Sequence, residues 1–229
     1  YIASFNEQTV NGEAALYIVL EYANSGSLRK ILQTTAGLIN TEKLGIWLHH
    51  ISLGVTYLHQ LRMRLSSKKR FIHRDLKPEN ILMKGQKGVQ ISDFGLAIDN
   101  ITEYDGAPAE TCCGTLEYMA PEVARGENHG YAVDCWSLGA VVYEMISGVP
   151  LFLSGTMAPL ELILTIQRAD YYIPNEARIS KNALNLIKSF LEKDKTKRLP
   201  VNAIDNSIPF FHGINFNALE AAGIPPGHD

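Results

Sequence analysis

The sequence contains little cysteine, almost no excess charge and no long apolar run, and each absence excludes a class of protein. Its three cysteines form no CxxC pair, which argues against a cysteine-based metal site and suits a reducing compartment. A net charge of −3 in 229 residues gives no general attraction to nucleic acid or to a membrane surface, so we expect neither as a partner. No stretch reaches the roughly 18 apolar residues of a membrane span.

Repeats, low-complexity tracts and a signal peptide are also not visible in the sequence. Hydrophobic residues make up 46% of the chain, which is enough for a sizeable core. Because the sequence begins at Tyr1 rather than at Met, targeting information that precedes it would not be seen. We expect a cytoplasmic protein, with the nucleus as the alternative location.

The most informative feature is the run HRDLKPEN at 73–80, followed by the triplet DFG that begins at Asp93. Asp75 offers a proton acceptor and Lys77 offers a cation for a phosphate. Asn80 and Asp93 offer oxygen ligands suited to Mg²⁺. Phosphoryl transfer needs this set of groups, because its catalysis is mostly positioning and charge stabilisation. Either carboxylate alone would be read as an ordinary loop residue; the combination favours a catalytic site.

Both strings resemble the catalytic loop and the metal-binding loop of the eukaryotic protein kinase family. Residues 120–122 (APE) are similar to another motif of that family, and residues 134–139 (DCWSLG) resemble the start of its buried central helix. The resemblance covers nearly the whole chain. It implies an α+β, protein-kinase-like fold with a mainly α-helical large lobe. It also implies ATP and Mg²⁺ as cofactors and transfer of the ATP γ-phosphate to a protein hydroxyl.

The resemblance also assigns structural roles. Arg198 matches the partner of the APE glutamate, Glu122, and such a pair would join the activation segment to the C-terminal helices. His73 is expected to pack against Phe94 in the column of side chains that links the lobes, rather than to act as a base. Asp134, in the central helix, is expected to have a structural role.

The first 20 residues resemble only two strands of the small lobe. Residues 1–5 and 16–20 predict strands, and Asn11-Gly12 is a hairpin signal. The sequence contains no Gly-rich phosphate loop and no Val-Ala-Ile-Lys strand, so we interpret it as a fragment, inactive by itself because the nucleotide phosphates lack a cover and an anchor. The predicted divisions are a two-strand remnant at 1–20, a hinge at 21–28, the large lobe at 29–212 and the start of a C-terminal tail at 213–229.

Hydrophobic periodicity predicts the helices of the large lobe. Apolar residues recur at three- and four-residue steps from 44 to 58. Residues 133–145 are apolar nearly throughout, as in a helix buried on all sides. Residues 160–166 and 183–191 predict two more helices, and residues 89–91 alternate like a short strand leading to the DFG triplet. The resemblance to the kinase hinge further implies that Leu20, Glu21, Ala23 and Leu82 would form one side of an adenine site.

Residues 111–119 (TCCGTLEYM) resemble the activation segment of the AGC group of serine/threonine kinases. The resemblance implies that an upstream kinase phosphorylates Thr111 and that Arg74 holds the phosphate, because arginine pairing can order a phosphorylated loop. Without this context, Thr111 would be read as an unmodified hydroxyl. Thr115 matches the threonine that bridges the catalytic Asp and Lys. Lys77 argues against the tyrosine kinases.

The expected substrate is a protein with basic residues near its phosphorylated hydroxyl. Glu79 and Glu144 match acidic positions that receive arginine or lysine, and Thr115 and Glu117 complete the predicted substrate-binding set. Ser27 stands where many AGC kinases have a further glutamate. The basic preference is therefore expected to be weaker or differently placed than usual.

Residues 60–72 form a longer connection than the family usually has, and five of them are basic. A solvated loop is the simpler interpretation, and a docking patch for an acidic partner is the functional one.

Two alternatives to an active kinase stay open: a pseudokinase or scaffold that binds partners through the same fold, and an inactive partial gene product. The presence of Asp75, Lys77, Asn80 and Asp93 weighs against the first, because a non-catalytic descendant has no chemical need for all four.

Overall fold

The computed structural model describes residues 2–35, 39, 41–60, 71–84, 88–98, 113–152, 157–173 and 179–216. Its strands and helices in chain order are β1 (Ala3–Gln8), β2 (Ala14–Val19), α1 (Leu28–Thr35), α2 (Thr41–Gln60), β3 (Ile81–Met83), β4 (Val89–Ile91), α3 (Pro121–Ala124), α4 (Ala132–Ser147), α5 (Pro159–Arg168) and α6 (Lys181–Phe190). Short 3-10 turns occupy Pro78–Asn80, Leu116–Tyr118, Val201–Ala203 and Pro209–Phe211. The predicted α+β class, mainly helical after two N-terminal strands, is confirmed.

Helix α4 lies at the centre of the core. Every residue from Val133 to Met145 is buried, since α2, α6 and the turn at 116–118 pack around the helix. This packing explains why the segment is apolar nearly all round. Gly139 lets α6 approach closely, because a Cβ there would lie 2.6 Å from the Cβ of Phe190.

Helix α2 leads towards the catalytic loop with one face in the core. The residues of this face are spaced by three or four positions, as predicted, and include Leu44, Leu48, Ile51, Val55 and Leu58. Burial of this stripe, rather than helix propensity, supplies most of the stability of such a helix.

Strands β1 and β2 form an antiparallel hairpin in which Ala3 pairs with Val19 and Gln8 pairs with Ala14. The turn includes Gly12 at φ 79°, a left-handed conformation that glycine adopts without strain. The first strand extends beyond the predicted residues into the polar segment 6–8, because ladder pairing continues as far as the turn. All six residues of β1 are exposed.

Strands β3 and β4 form a second antiparallel pair, with Ile81 opposite Ile91. The first of these strands was not predicted, because its three residues are all apolar and show no alternation. The Met83 amide donates to Gly26 O at 2.8 Å, which ties the pair to the preceding chain, and Ser92 N donates to Asn80 O at 2.9 Å, which extends the ladder beyond Ile81 and Ile91.

Several predicted features lie outside the described residues: the phosphorylation site Thr111, most of the basic insertion (61–70), and the tail from 217 onward. Helix α1 begins at Leu28, the last residue of the predicted hinge. In the described part of the chain, no helix combines the length and apolar character needed to cross a membrane.

Candidate active site

One buried carboxylate holds the backbone of the catalytic loop. Asp134 is fully buried and accepts hydrogen bonds from the amides of His73 and Arg74, both at 2.9 Å, and from His59 Nε2 at 2.8 Å. Burial opposes the charge of Asp134, but His59 and the two amides outweigh burial and lower its pKa. Arg74 has φ 65°, an unusual conformation for a residue with a side chain, so the Asp134 contacts hold a strained loop in place.

The candidate base, Asp75, is held by four donors. Its Oδ1 accepts from the amide (3.0 Å) and the hydroxyl (2.8 Å) of Thr115. Its Oδ2 lies 2.8 Å from Lys77 Nζ and 3.2 Å from Asn80 Nδ2. Burial opposes ionisation, yet Lys77 and Thr115 outweigh it and lower the pKa of Asp75. The side chain is therefore an oriented carboxylate at neutral pH.

The same contacts join the end of the activation segment to the catalytic loop. Lys77 Nζ donates to Thr115 Oγ1 at 2.9 Å, which completes a triangle with Asp75. The preceding residue, Gly114, has φ 101°, and a Cβ there would lie 2.6 Å from Arg74 O. Only glycine permits this approach, so the local sequence Gly-Thr is required on both steric and hydrogen-bonding grounds.

The two predicted magnesium ligands are delivered by the β3–β4 pair. Asn80 immediately precedes β3 and Asp93 is the second residue after β4, so both side chains belong to the same end of this antiparallel ladder. Asn80 turns its NH₂ group to Asp75 O (2.9 Å), so the amide oxygen is the atom with which it would bind a metal. Asp93 is exposed, has φ 64°, and accepts from Gly95 N at 3.2 Å.

This donor set fits Mg²⁺, because that ion prefers oxygen and keeps waters and phosphate ligands besides one or two protein groups. Among the described residues, no group of three His, Cys, Asp or Glu side chains is placed to hold a metal.

The structure brings His73 and Phe94 together, with ring centroids 5.2 Å apart. His73 is fully buried, and its Nε2 contacts Ser92 O at 3.0 Å while its Nδ1 accepts from the Asp75 amide at 3.3 Å. Both ring nitrogens are thus engaged by backbone groups. The guanidinium of Arg74, the predicted phosphate partner, donates through Nε to Leu96 O at 2.7 Å.

Glu122 and Arg198 also lie together, fully buried. Two parallel contacts join them, at 2.6 Å and 3.1 Å. Arg198 further donates to Ala132 O at 2.8 Å and lies 5.1 Å from the ring of Trp136. The pair therefore connects α3, α4 and the chain after α6 in one network.

The residues predicted to bind nucleotide lie in and beside the hinge. Leu20 and Glu21 are exposed, whereas Ala23 is buried. Glu21 forms an ion pair with Lys84 at 2.8 Å, and Leu82 forms an isolated antiparallel β-bridge with Ser27. The hinge is thereby held against β3.

The acidic side chains predicted to receive a basic substrate residue are engaged by an arginine of the chain itself. Arg29, in the first turn of α1, lies 2.6 Å from Glu79 through Nε and binds Glu144 through Nη1. Its Nη2 donates to Tyr118 Oη, which in turn donates to Glu144. We name these four residues, Arg29, Glu79, Tyr118 and Glu144, the arginine cluster. Glu117, also predicted for substrate binding, lies beside Tyr118 in the turn at 116–118.

Sequence reasoning missed Arg29, Tyr118 and His59. No local signal marks Arg29, because its partners lie 50 and 115 positions away. His59 stands at the end of a predicted helix, but its contact with Asp134 depends on how α2 packs against α4.

Comparisons with known proteins agree with this geometry. A family model described as the protein kinase domain matches residues 2–210. The chain is 38% identical over 216 residues to serine/threonine-protein kinase Sgk1 of Gallus gallus and 39% identical over 215 residues to Sgk1 of Rattus norvegicus. It is 36% identical over 215 residues to Sgk2 of Homo sapiens.

The chain therefore belongs to the protein kinase family, and the predicted resemblance to AGC-like serine/threonine kinases is confirmed. Each alignment covers 92% of this chain but only 46% of either Sgk1 and 54% of Sgk2. The chain thus spans about half the length of the curated relatives that it matches.

Proposed function

We propose that this chain is the large lobe of a protein serine/threonine kinase, and that the complete catalytic domain to which it belongs transfers the γ-phosphate of ATP to serine or threonine hydroxyls. The observation that carries the proposal is the triangle of Asp75, Lys77 and Thr115, in which a buried carboxylate, an ammonium and a hydroxyl lie within 3.0 Å of one another. A scaffold would have no need to keep an oriented carboxylate beside an ammonium at this point.

In this proposal, Asp75 orients the substrate hydroxyl and accepts its proton. A carboxylate has about four acceptor positions, and the four donors already described use them. An incoming hydroxyl therefore replaces one donor. Lys77 is best suited to give way, because its flexible stem lets the ammonium turn from Asp75 towards a phosphate. Thr115 keeps the other oxygen of Asp75 in place during the exchange.

ATP and Mg²⁺ are the cofactors that the family uses, and their placement here is part of the proposal. Asn80 and Asp93 would hold Mg²⁺, and Leu20, Glu21, Ala23 and Leu82 would line one side of the adenine site. When bound, Mg·ATP supplies the transferable phosphoryl group and a cation that offsets its charge.

The proposed substrate is a protein segment with basic residues near its hydroxyl. This preference is expected to be weak, because Arg29 already pairs with two of the three predicted acidic contacts, Glu79 and Glu144. Glu117 is the third. An upstream kinase would act on Thr111, with Arg74 as the phosphate's partner. The basic insertion remains a proposed contact for an acidic partner.

The test is phosphate transfer from labelled ATP by the natural full-length protein to three peptides that differ only in Ser, Thr or Tyr. We expect transfer to Ser and Thr but not to Tyr. Lys77→Met should lower kcat by about 10²-fold or more, because a positioned cation is removed from the transferred phosphate.

Lys181→Met is the matched control, since Lys181 is an exposed lysine at the start of α6. Transfer to the tyrosine peptide, or normal turnover by Lys77→Met, would reject the assignment.

A further inference from the structure

Arg29 fills the acidic site beside the catalytic loop from inside the chain. Its guanidinium spans Glu79 and Glu144 and also binds the Tyr118 hydroxyl. Two carboxylates of this site thus share one internal cation. A planar guanidinium is suited to such contacts, because its donors form a rigid fork that can hold several acceptors at once.

Burial makes this internal cation difficult to displace. The side chain of Glu144 is 2% exposed and that of Arg29 is 22% exposed, whereas that of Glu79 is 46% exposed. A buried carboxylate without a partner is strongly destabilising. Burial alone would lower the pKa of Arg29, but Glu144 and Glu79 outweigh burial and raise it, so the guanidinium stays charged. Burial and Glu144 raise the pKa of Tyr118, so its phenol stays protonated and donates to Glu144.

The arginine cluster adjoins the reacting groups. Glu79 lies between Lys77 and Asn80 in the turn at 78–80, and Tyr118 follows Thr115 by three residues. A peptide that brings its hydroxyl to Asp75 would therefore run beside the cluster.

We propose that Arg29 is a specificity-determining residue, which closes the Glu79–Glu144 site to basic side chains of the substrate. The proposal rests on the proposed kinase function. A substrate arginine could bind Glu144 only by displacing Arg29, and one new ion pair would replace an equivalent one with no net gain. The protein therefore discriminates little between a charged and a neutral side chain at the substrate position that meets the cluster. Any basic preference arises elsewhere, for example at Glu117.

The experiment uses serine peptides in which arginine is placed at each of the positions near the serine, each matched by a peptide with citrulline there. Citrulline keeps the shape of arginine but removes its charge. Dissociation constants are measured by fluorescence anisotropy for the natural full-length protein, for Arg29→Gln and for Lys30→Gln. Lys30 is a matched control, because it is an exposed cation next to Arg29 on the same helix.

For Arg29→Gln, we expect one peptide position at which the arginine peptide binds at least about tenfold more tightly than the citrulline peptide. This is the effect of one hydrogen-bonded charge pair. At that position, the dissociation constants of the arginine and citrulline peptides should differ by less than about threefold, as for an exposed pair, both for the wild type and for Lys30→Gln. A wild type that already shows the tenfold preference there would overturn the proposal, as would an Arg29→Gln protein that gains no such position.

Glu79→Gln provides a second test that does not depend on Arg29→Gln folding, because Glu79 is the exposed member of the cluster. With Arg29 in place, Glu79→Gln should change the ratio of arginine to citrulline binding by less than about threefold at every position. Loss of a tenfold arginine preference in this variant would show that Glu79 binds substrate directly, and the proposal would be wrong.

The same peptides separate this inference from the function on which it rests. If the wild type phosphorylates none of them, the kinase function is rejected. The binding ratios still decide the role of Arg29, because they are measured without phosphate transfer.

Discussion

The β1–β2 hairpin and the catalytic loop both depart from the usual burial of apolar groups and exposure of polar ones, but in opposite directions. The hairpin leaves apolar groups in solvent: Phe5 is 49% exposed and Ile18 is 58% exposed. The loop buries polar groups: His73, Asp75 and Asn80 are at most 8% exposed. Burial therefore follows from what packs against each segment rather than from the polarity of its residues.

Each of the two regions has a physical explanation. The loop can bury polar groups because Asp134, Thr115 and backbone atoms satisfy them, and buried polar groups are tolerated only when they are hydrogen-bonded. The hairpin is stabilised by its own ladder and by the stacking of Phe5 on Tyr17, with centroids 5.1 Å apart. Exposed apolar faces and open strand edges mark surfaces that bind other segments or aggregate.

The largest expected effect is on catalysis, from a substitution in the catalytic loop. Asp75→Asn should lower kcat by about 10²–10⁴-fold, because the amide keeps the shape of the side chain but cannot accept a proton. Steady-state phosphorylation assays of the natural full-length protein and of the variant measure this change in kcat. Asp170→Asn is the control, since the side chain of Asp170 is 60% exposed. Equal turnover by the Asp75 variant would remove Asp75 from its proposed role.

Substitution of one phenylalanine in the core and one in the hairpin compares how much each region contributes to stability. Phe190→Ala should lower the free energy of unfolding by about 3–5 kcal/mol, because it opens a cavity in the core where Phe190 is fully buried. Phe5→Ala should change it by about 0.5 kcal/mol or less, as for an exposed substitution. Denaturant unfolding of both variants gives the two values. A similar cost at both positions would mean that the hairpin is covered in solution.

Breaking one buried and one exposed ion pair tests how burial changes the contribution of a pair to stability. Arg198→Met should cost about 3–5 kcal/mol of unfolding free energy, because it leaves Glu122 charged and buried without its partner. Arg168→Met should cost about 0–1 kcal/mol, since Arg168 and its partner Asp170 are both mostly exposed. Thermal and denaturant unfolding would report the difference. If the Arg198 variant is as stable as the Arg168 variant, the Glu122–Arg198 pair does not stabilise the fold.

The smallest expected effect is a change in pH dependence. The pKa of Asp134 is lowered in the folded state from an ordinary value of about 3.8, so its contribution to stability is present above pH 4 and is lost as the pH falls. Asp134→Asn should therefore flatten the dependence of unfolding free energy on pH below about pH 5, by at most about 1.4 kcal/mol per pH unit.

Asp170→Asn is the control for this measurement, because the side chain of Asp170 is 60% exposed. An unchanged slope in the Asp134 variant, or an equal change in both variants, would show that Asp134 is not the group that links folding to acid.

The sequence was sufficient for the features that depend on neighbouring residues. The helical stripe of α2 and the all-apolar α4 were predictable, because hydrophobic periodicity reports which face is buried. The motif residues Asp75, Lys77 and Asn80 were predictable as a group, because their spacing within one loop fixes which groups can act together. Strand β3 was missed, since its three residues form a strand only by pairing with β4.

By itself, the sequence determined the family and the main helices and predicted the set of proposed reacting groups, since these depend on local patterns and on motif spacing. Only the tertiary structure decided what surrounds those groups. Arg29 meets Glu144 across 115 positions, and Asp134 holds a loop 60 positions earlier. Contacts of this kind arise from the packing of α1, α2 and α4 around the catalytic loop, and burial there sets their electrostatic strength. No local pattern encodes such a contact, because its free energy depends on both partners and on the water that packing excludes.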